Sequence, residues 1–480
     1  MNDYCLHAID SAQKNGCTYA DARILSINSQ GIGVEDQRVT HINTNETCGI
    51  GIRVLKNNAW GFAATSQLTN EAIDQTVKRA VQIANAGSSL SNPNGIIWAK
   101  EDKYVEKYQT PFVIDPFKVA LSQKIDLLLA ISKEALSVKG ASKCHGSMFF
   151  KRQQKWIATT EGTLIETDCM TSHARYNVTA VGSNDAKTRY FEASAANAGY
   201  EHIENTPLLA EATRVANEAV AQLTAKPCVS GAYDLILNPT HLALTMHESI
   251  GHATELDRVL GMEESLAGSS FATIDKLNTL QYGSPMMNII CDNTMPLGLA
   301  TMGFDDDCVK GQQWDLIKDG VLIDYQTDRE TCHAINAERS RGCSRATSWS
   351  DIPICRMSNF GLSPNANPLT PEELISDTKN GILIDGMGSF SIDQKRQNFQ
   401  FGGDCFWEVK NGKITGMLKD VTYQAITTDF WGSLDAICDK RFWEPVGVMN
   451  CGKGDPMQIA QMSHAAAPAR FKGISVGGAS

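Results

Sequence analysis

The chain has 480 residues, with 43 Lys and Arg against 54 Asp and Glu, a formal net charge of −11. That balance argues against nucleic acid or an anionic membrane surface as a direct partner. No apolar run is long enough for a transmembrane helix, and the length calls for two or more domains.

Taken in order, Met1-Asn2-Asp3-Tyr4 lacks the basic stretch and apolar core of a signal peptide. The fourteen cysteines are scattered, without a C-x-x-C pair, and read as reduced thiols of a cytoplasmic protein. Residues 3–16 form a predicted helix ending at Gly16. Arg23–Ile27 and Ile50–Leu55 are predicted strands. Thr69 caps a predicted helix with Ile73, Val77, Val81 and Ala84 on one stripe, ending at Gly87. The Ser-, Asn- and Pro-rich stretch Ser88–Gly95 reads as a loop. Asp115-Pro116 signals a helix start and Gly140 its close. Phe149–Tyr200 returns to strands, with turns at Glu161-Gly162 and Ser183-Asn184-Asp185. Thr206-Pro207 opens a helix carrying Leu208, Ala212, Val215 and Ala219. Blocks of helix and strand, rather than strict alternation, make the fold class α+β. The expected division is an N-terminal mixed α/β domain, residues 1–226, and a mostly β C-terminal domain, residues 227–480.

The second half opens with a predicted strand, Tyr233–Leu237, and a helix beginning at Pro239-Thr240. Gly261–Tyr282 reads as loop with weak helix, placed to cover a site. Asp319-Gly320 and Asn411-Gly412 lie between strand-like runs, a strong hairpin signal. Trp349–Pro371 is expected to be irregular, and Asp305-Asp306-Asp307 to be a solvated turn rather than a cation site. The glycines of Gly31-Ile32-Gly33 and Gly49-Ile50-Gly51 sit in strand context, so they do not read as a phosphate-cradling loop.

The chemistry concentrates in Met246-His247-Glu248-Ser249-Ile250-Gly251-His252. Two imidazoles suit Zn²⁺, and the adjacent carboxylate can serve as a general base. The spacing is H-E-x-x-H with one residue added. Positions five apart on a regular α-helix differ by roughly 140°, too far to share one ion. A π-bulge absorbs the extra residue, and Gly251 is expected to ease that distortion. A third ligand is needed. Cys451, in Asn450-Cys451-Gly452-Lys453-Gly454, is the distant candidate. Glu255, three residues after His252, is the local one, or else a carboxylate orienting a ligand histidine. An inert buried thiol is the plain alternative for Cys451. Cys144-His145 and Cys332-His333 are poor nucleophile–base pairs, because adjacent strand residues point to opposite faces.

HESIGHATELD, His247–Asp257, resembles the metal motif of the TldD/PmbA family of metalloproteases. Cys451-Gly452-Lys453 with the ending Gly473–Gly478, the hairpin Leu316–Arg329, and Gly49–Phe62 are similar to other parts of that family. The presence of H-E-x-x-x-H resembles the TldD type. The resemblance implies zinc held by His247, His252 and Cys451, with Glu248 as base. It also implies extended or unfolded peptide substrates in an enclosed cavity, and a homodimer or a heterodimer with a PmbA-type subunit. The family's older label as a modulator of DNA gyrase gains no support from the charge. The alternative function is a non-catalytic peptide-binding or scaffold subunit, against which the intact Glu248 speaks.

Overall fold

A computed structural model describes residues 1–90 and 95–478. The expected Ser88–Gly95 loop therefore lies partly outside the described residues. α1 (Asn2–Lys14) is followed by three strands, β1 (Tyr19–Glu35), β2 (Arg38–Lys56) and β3 (Ala59–Thr65), then by α2 (Asn70–Gly87) and β4 (Val105–Gln109). α3 (Leu121–Leu136) precedes β5 (Ala141–Thr159), β6 (Leu164–Val181) and β7 (Ala186–Ala196). All seven strands share one sheet, in the order β3-β2-β1-β5-β6-β4 with β7 also on β6. The predicted strands were too short. β1 and β2 continue as one long hairpin whose turn, Asp36-Gln37, has positive φ at both residues, with no glycine to announce it.

The helices lie where their apolar stripes place them. Thr69 caps α2 through its hydroxyl, and Ile73, Val77, Ala80, Val81 and Ala84 bury against α1 and the sheet. Asp115-Pro116 starts only a single turn, and the helix proper begins at Leu121. Likewise Thr206-Pro207 precedes a turn. A one-turn α4 (Glu201–Glu204) comes before it, and α5 (Ala212–Thr224) is the helix that packs on the sheet.

β8 (Lys226–Pro227) and β9 (Gly231–Leu237) belong to a separate ten-stranded sheet, which also contains Ala469–Gly478. A six-stranded sheet ends with Phe360–Leu362, then Gln458–Ala466, then Glu444–Lys453 at its edge. Between these sheets lies α6 (Pro239–Met246), buried almost throughout. Asp319-Gly320 and Asn411-Gly412 form the hairpin turns expected of them, each with φ positive at both residues.

Two expectations are overturned. Trp349–Pro371 is not wholly irregular: Phe360–Leu362 is a strand parallel to Gln458–Ala466, pairing Phe360 with His464. Asp305-Asp306-Asp307 is not solvated. All three are buried, and protein cations from the N-terminal sheet neutralise two of them. Arg23 and Lys155 both bind Asp306, at 3.1 and 2.5 Å, while Arg53 binds Asp307 at 2.7 Å. Basic residues from three strands, β1, β2 and β5, face this turn across the fold, a tertiary fact that local composition does not carry.

Candidate metal centre

α6 begins with Pro239 at its first turn, where a missing N–H costs nothing. It runs straight into a π-helical turn, His247–Gly251, and then a 3₁₀ turn, His252–Thr254. The His252 amide donates to the His247 carbonyl, the five-residue return that the added residue requires. The two imidazoles thereby come together, with ring centroids 4.8 Å apart.

Gly251 has another reason than the one expected. Its φ is −53° and ψ is −61°, a conformation open to any residue. A Cβ there would meet Met357 Sδ at 2.4 Å and the Phe360 ring at 3.1 Å. Glycine is present because the helix lies directly on the strand behind it.

A π turn disturbs the regular ladder, and the freed groups find side chains. Tyr282 Oη donates to the Ser249 carbonyl at 2.5 Å, and Gln326 Nε2 to the Gly251 carbonyl at 2.9 Å. Trp431 Nε1 donates to Ser249 Oγ at 2.9 Å. Every one of these groups is buried, so none can rely on water.

His247, His252 and Cys451 offer ligand atoms that all lie within 4.8 Å of one another. Cys451 Sγ is 3.6 Å from His252 Nε2. A tetrahedral zinc with Zn–N of about 2.1 Å and Zn–S of about 2.3 Å sets that pair about 3.6 Å apart, so the donor set and its spacing fit the ion. The other ring nitrogen of each histidine is held. His252 Nδ1 donates to Glu255 Oε2 at 2.8 Å, and His247 Nδ1 is 2.8 Å from His464 Nε2. Such partners orient a ligand imidazole. Burial pushes both histidines below their ordinary value, the direction that favours the neutral ring a metal needs. Burial pushes the Cys451 thiol up, but His252 and then Arg356 outweigh it, leaving the thiol below its usual value.

Glu255 stands behind His252 rather than in the cluster. Its Oε1 is 3.1 Å from Lys453 Nζ, and Arg258 Nε is 3.7 Å from Oε2. Burial opposes its charge, yet Lys453, His252 and Arg258 hold the carboxyl well below the usual range. Lys453 also binds Asp257 Oδ1 and the Cys355 carbonyl, both at 2.7 Å. Glu248 is paired with Arg396, whose Nη1 is 2.5 Å from Oε2. Arg396 sits at φ +63° in the turn between Phe390–Ile392 and Asn398–Phe401.

His464, Lys453 and Arg396 were not singled out by sequence reasoning. Lys453 carried a signal: two residues after Cys451 on a strand, it shares that residue's face. His464 and Arg396 carried none, since their partners lie 217 and 148 residues away. Cys144 and Cys332 are buried thiols, each pushed up to about 11 by burial, so neither is an activated nucleophile. His241 is a core histidine, bonded to the Gly386 carbonyl and Tyr423 Oη and pushed down to about 4 by burial.

Three domain models of one family match this chain: PmbA/TldA metallopeptidase domain 1 over residues 20–84, the central domain over 114–226 and the C-terminal domain over 230–478. The chain belongs to the PmbA/TldA metallopeptidase family. The cluster of His247, His252 and Cys451 lies wholly within the C-terminal match. A metalloprotease of Methanocaldococcus jannaschii is 29% identical over 437 residues, covering 91% of this chain and 92% of that one. A zinc metalloprotease TldD homolog of Saccharolobus solfataricus is 25% identical over 479 residues, covering 98% and 99%. Among solved structures, TldE from Thermococcus kodakarensis aligns with a TM-score of 0.78 at 15% identity, over 99% of this chain and 100% of that one. The α+β fold of the family is therefore this chain's fold. Among the described residues, no helix is long and apolar enough to cross a membrane.

Proposed function

We propose that this chain is a zinc-dependent peptidase acting on unfolded or extended peptides, with His247, His252 and Cys451 as metal ligands and Glu248 as general base. The observation that carries the reading is the convergence of two oriented imidazoles and a thiol of lowered pKa beside a buried carboxylate. Zinc, when bound there, supplies Lewis acidity to a peptide carbonyl and acidifies water.

The protein's own groups do the rest. Glu255 and His464 hold the ligand rings through their second nitrogens. Glu248 takes a proton from the attacking water and returns it to the leaving amine. Arg396 fixes the Glu248 carboxylate through Oε2, so that the base is aimed before substrate arrives. Cys451 lies on the edge strand of its sheet, and its neighbour Asn450 is exposed. An extended peptide adding to that edge uses main-chain hydrogen bonds and so tolerates many sequences. Family membership supports work as a homodimer or with a PmbA-type subunit. The cysteine content and the net charge of −11 support a cytoplasmic setting without nucleic acid or membrane as partner.

The test pairs metal analysis with Glu248→Gln. Wild type should carry about one zinc per chain and cleave an unstructured peptide. The Gln variant should keep the zinc and lose cleavage by roughly 10²-fold or more. Undiminished cleavage by that variant rejects the mechanism. A zinc-loaded wild type that cleaves nothing, even with a PmbA-type partner supplied, favours the scaffold alternative.

A further inference from the structure

A cavity of about 170 Å³ lies between the N-terminal sheet and the strand Gln458–Ala466. One wall comes from β5 and β6, with Lys151 and Lys155 alternating inward; the other comes from Arg345, Ala460 and Gln461. Three cations line it, and no Asp or Glu is among the described lining residues. In a chain of net charge −11, that composition runs against the whole.

The cations are unevenly compensated. Lys155 is paired with Asp306, which already serves Arg23. Lys151 reaches only an amide oxygen, Gln461 Oε1, at 2.5 Å. The Arg345 guanidinium reaches only backbone carbonyls, those of Gln461, at 2.5 Å, and Met357. Neither cation has a carboxylate within ion-pair distance among the described residues. Arg345 is buried and Lys151 half-buried, and charges withdrawn from bulk water are ordinarily paired, because neutral oxygens do not repay their desolvation. Burial accordingly pushes Lys151 down to about 8, and burial with Arg356 nearby pushes Arg345 down to about 10. An anion between them removes that strain, and the space is several times what one water requires.

We infer that this cavity is a binding site for a small oxyanion, a carboxylate or phosphate group held by Lys151 and Arg345. Lys151 supplies a point charge and Arg345 remaining N–H donors, with Thr171 on the cavity wall. The inference stands independently of the peptidase reading, because it uses none of the residues of the metal cluster.

The experiment is isothermal titration of the full chain with inorganic phosphate, succinate, and tri-alanine with a free or an amidated carboxyl terminus. One-to-one binding of phosphate or succinate supports the inference. Binding of the free but not the amidated peptide supports it too, and assigns the carboxylate to a peptide end. Lys151→Met should weaken that binding by roughly ten- to a hundredfold, the weight of one charge-assisted hydrogen bond, and Lys151→Arg should restore it. Lys151→Gln serves as a second neutral variant should the Met variant misfold, with circular dichroism checking both. No binding of any probe to the wild type at millimolar concentration overturns the inference. Equal affinity in wild type and a folded neutral variant overturns it as well.

Discussion

Replacing Lys453 by Met keeps an unbranched chain of similar length and removes one buried charge. Lys453 is fully buried, and its ammonium is shared by Glu255 at 3.1 Å, Asp257 at 2.7 Å and the Cys355 carbonyl at 2.7 Å. Without it, two buried carboxylates lose their common counter-ion. Glu255 keeps His252 and Arg258, but Asp257 keeps no cation partner among the described residues. Breaking a buried pair costs about 3–5 kcal/mol. The low end applies here, because Asp257 can take up a proton; burial already raises its pKa in the wild type. At about 2–4 °C per kcal/mol for a domain of this size, thermal midpoints should fall by roughly 6–12 °C. The sign with pH follows. A carboxyl whose folded pKa lies above its unfolded value binds its proton more tightly when folded, so stability falls as pH rises between the two. The variant's deficit should therefore shrink as pH is lowered from 8 towards 5. Calorimetry at several pH values measures both. A deficit within about 2 °C at pH 8, or one that grows on acidification, refutes the account of Lys453 as the counter-ion holding this site together.

Gly251→Ala trades about 0.5–1 kcal/mol of helix gain against overpacking of about 1–3 kcal/mol on Met357 and Phe360. Urea denaturation should show a net loss, and a stabilised variant would contradict the close packing. His464→Leu removes the partner of His247 Nδ1 and should weaken zinc retention about 10–100-fold in a chelator competition; unchanged retention would show that His247 needs no such support. Chelation should lower the thermal midpoint reversibly, because a ligand bound only by the folded state stabilises it by mass action. Added zinc should restore the midpoint in wild type and not in His247→Ala.

Local pattern carried the parts of this fold that local physics decides. Thr69 with its apolar stripe, Asp319-Gly320, Asn411-Gly412 and the five-residue histidine spacing each imply their geometry from a few neighbouring residues. Strand length was less legible, since β1 passes from a fully buried run to a half-buried one and β2 from an exposed run to a buried one, neither with the alternation that marks a strand. Long-range neutralisation was not legible at all. Nothing near Asp306 in the chain points to Lys155, 151 residues away, so three consecutive aspartates looked solvated when they are buried. The same holds at the metal centre. The motif announced His247, Glu248 and His252, whereas His464 and Arg396 reach it only through strand pairing and a hairpin turn.

The extra residue in the motif explains why so much of the C-terminal domain is devoted to one turn. An H-E-x-x-H helix needs no help to put two imidazoles on one face. With the histidines five positions apart, the backbone must adopt a π turn whose carbonyls look outward into protein. Tyr282, Gln326 and Trp431 come from separate stretches of the domain to bond it, and Gly251 must lack a side chain so that Phe360 can approach. Phe360 in turn packs against His464, its ring centroid 4.1 Å away, and His464 holds His247. The backbone defect and the orientation of the His247 ring are thus supported by the same strand pair, Phe360–Leu362 beside Gln458–Ala466. Gln458–Ala466 also pairs on its other side with Glu444–Lys453, which sets Cys451 opposite Ala460. A substitution that relieves the π turn must therefore disturb the histidine pair together with the packing behind it, Gly251 on Phe360 and Phe360 on His464.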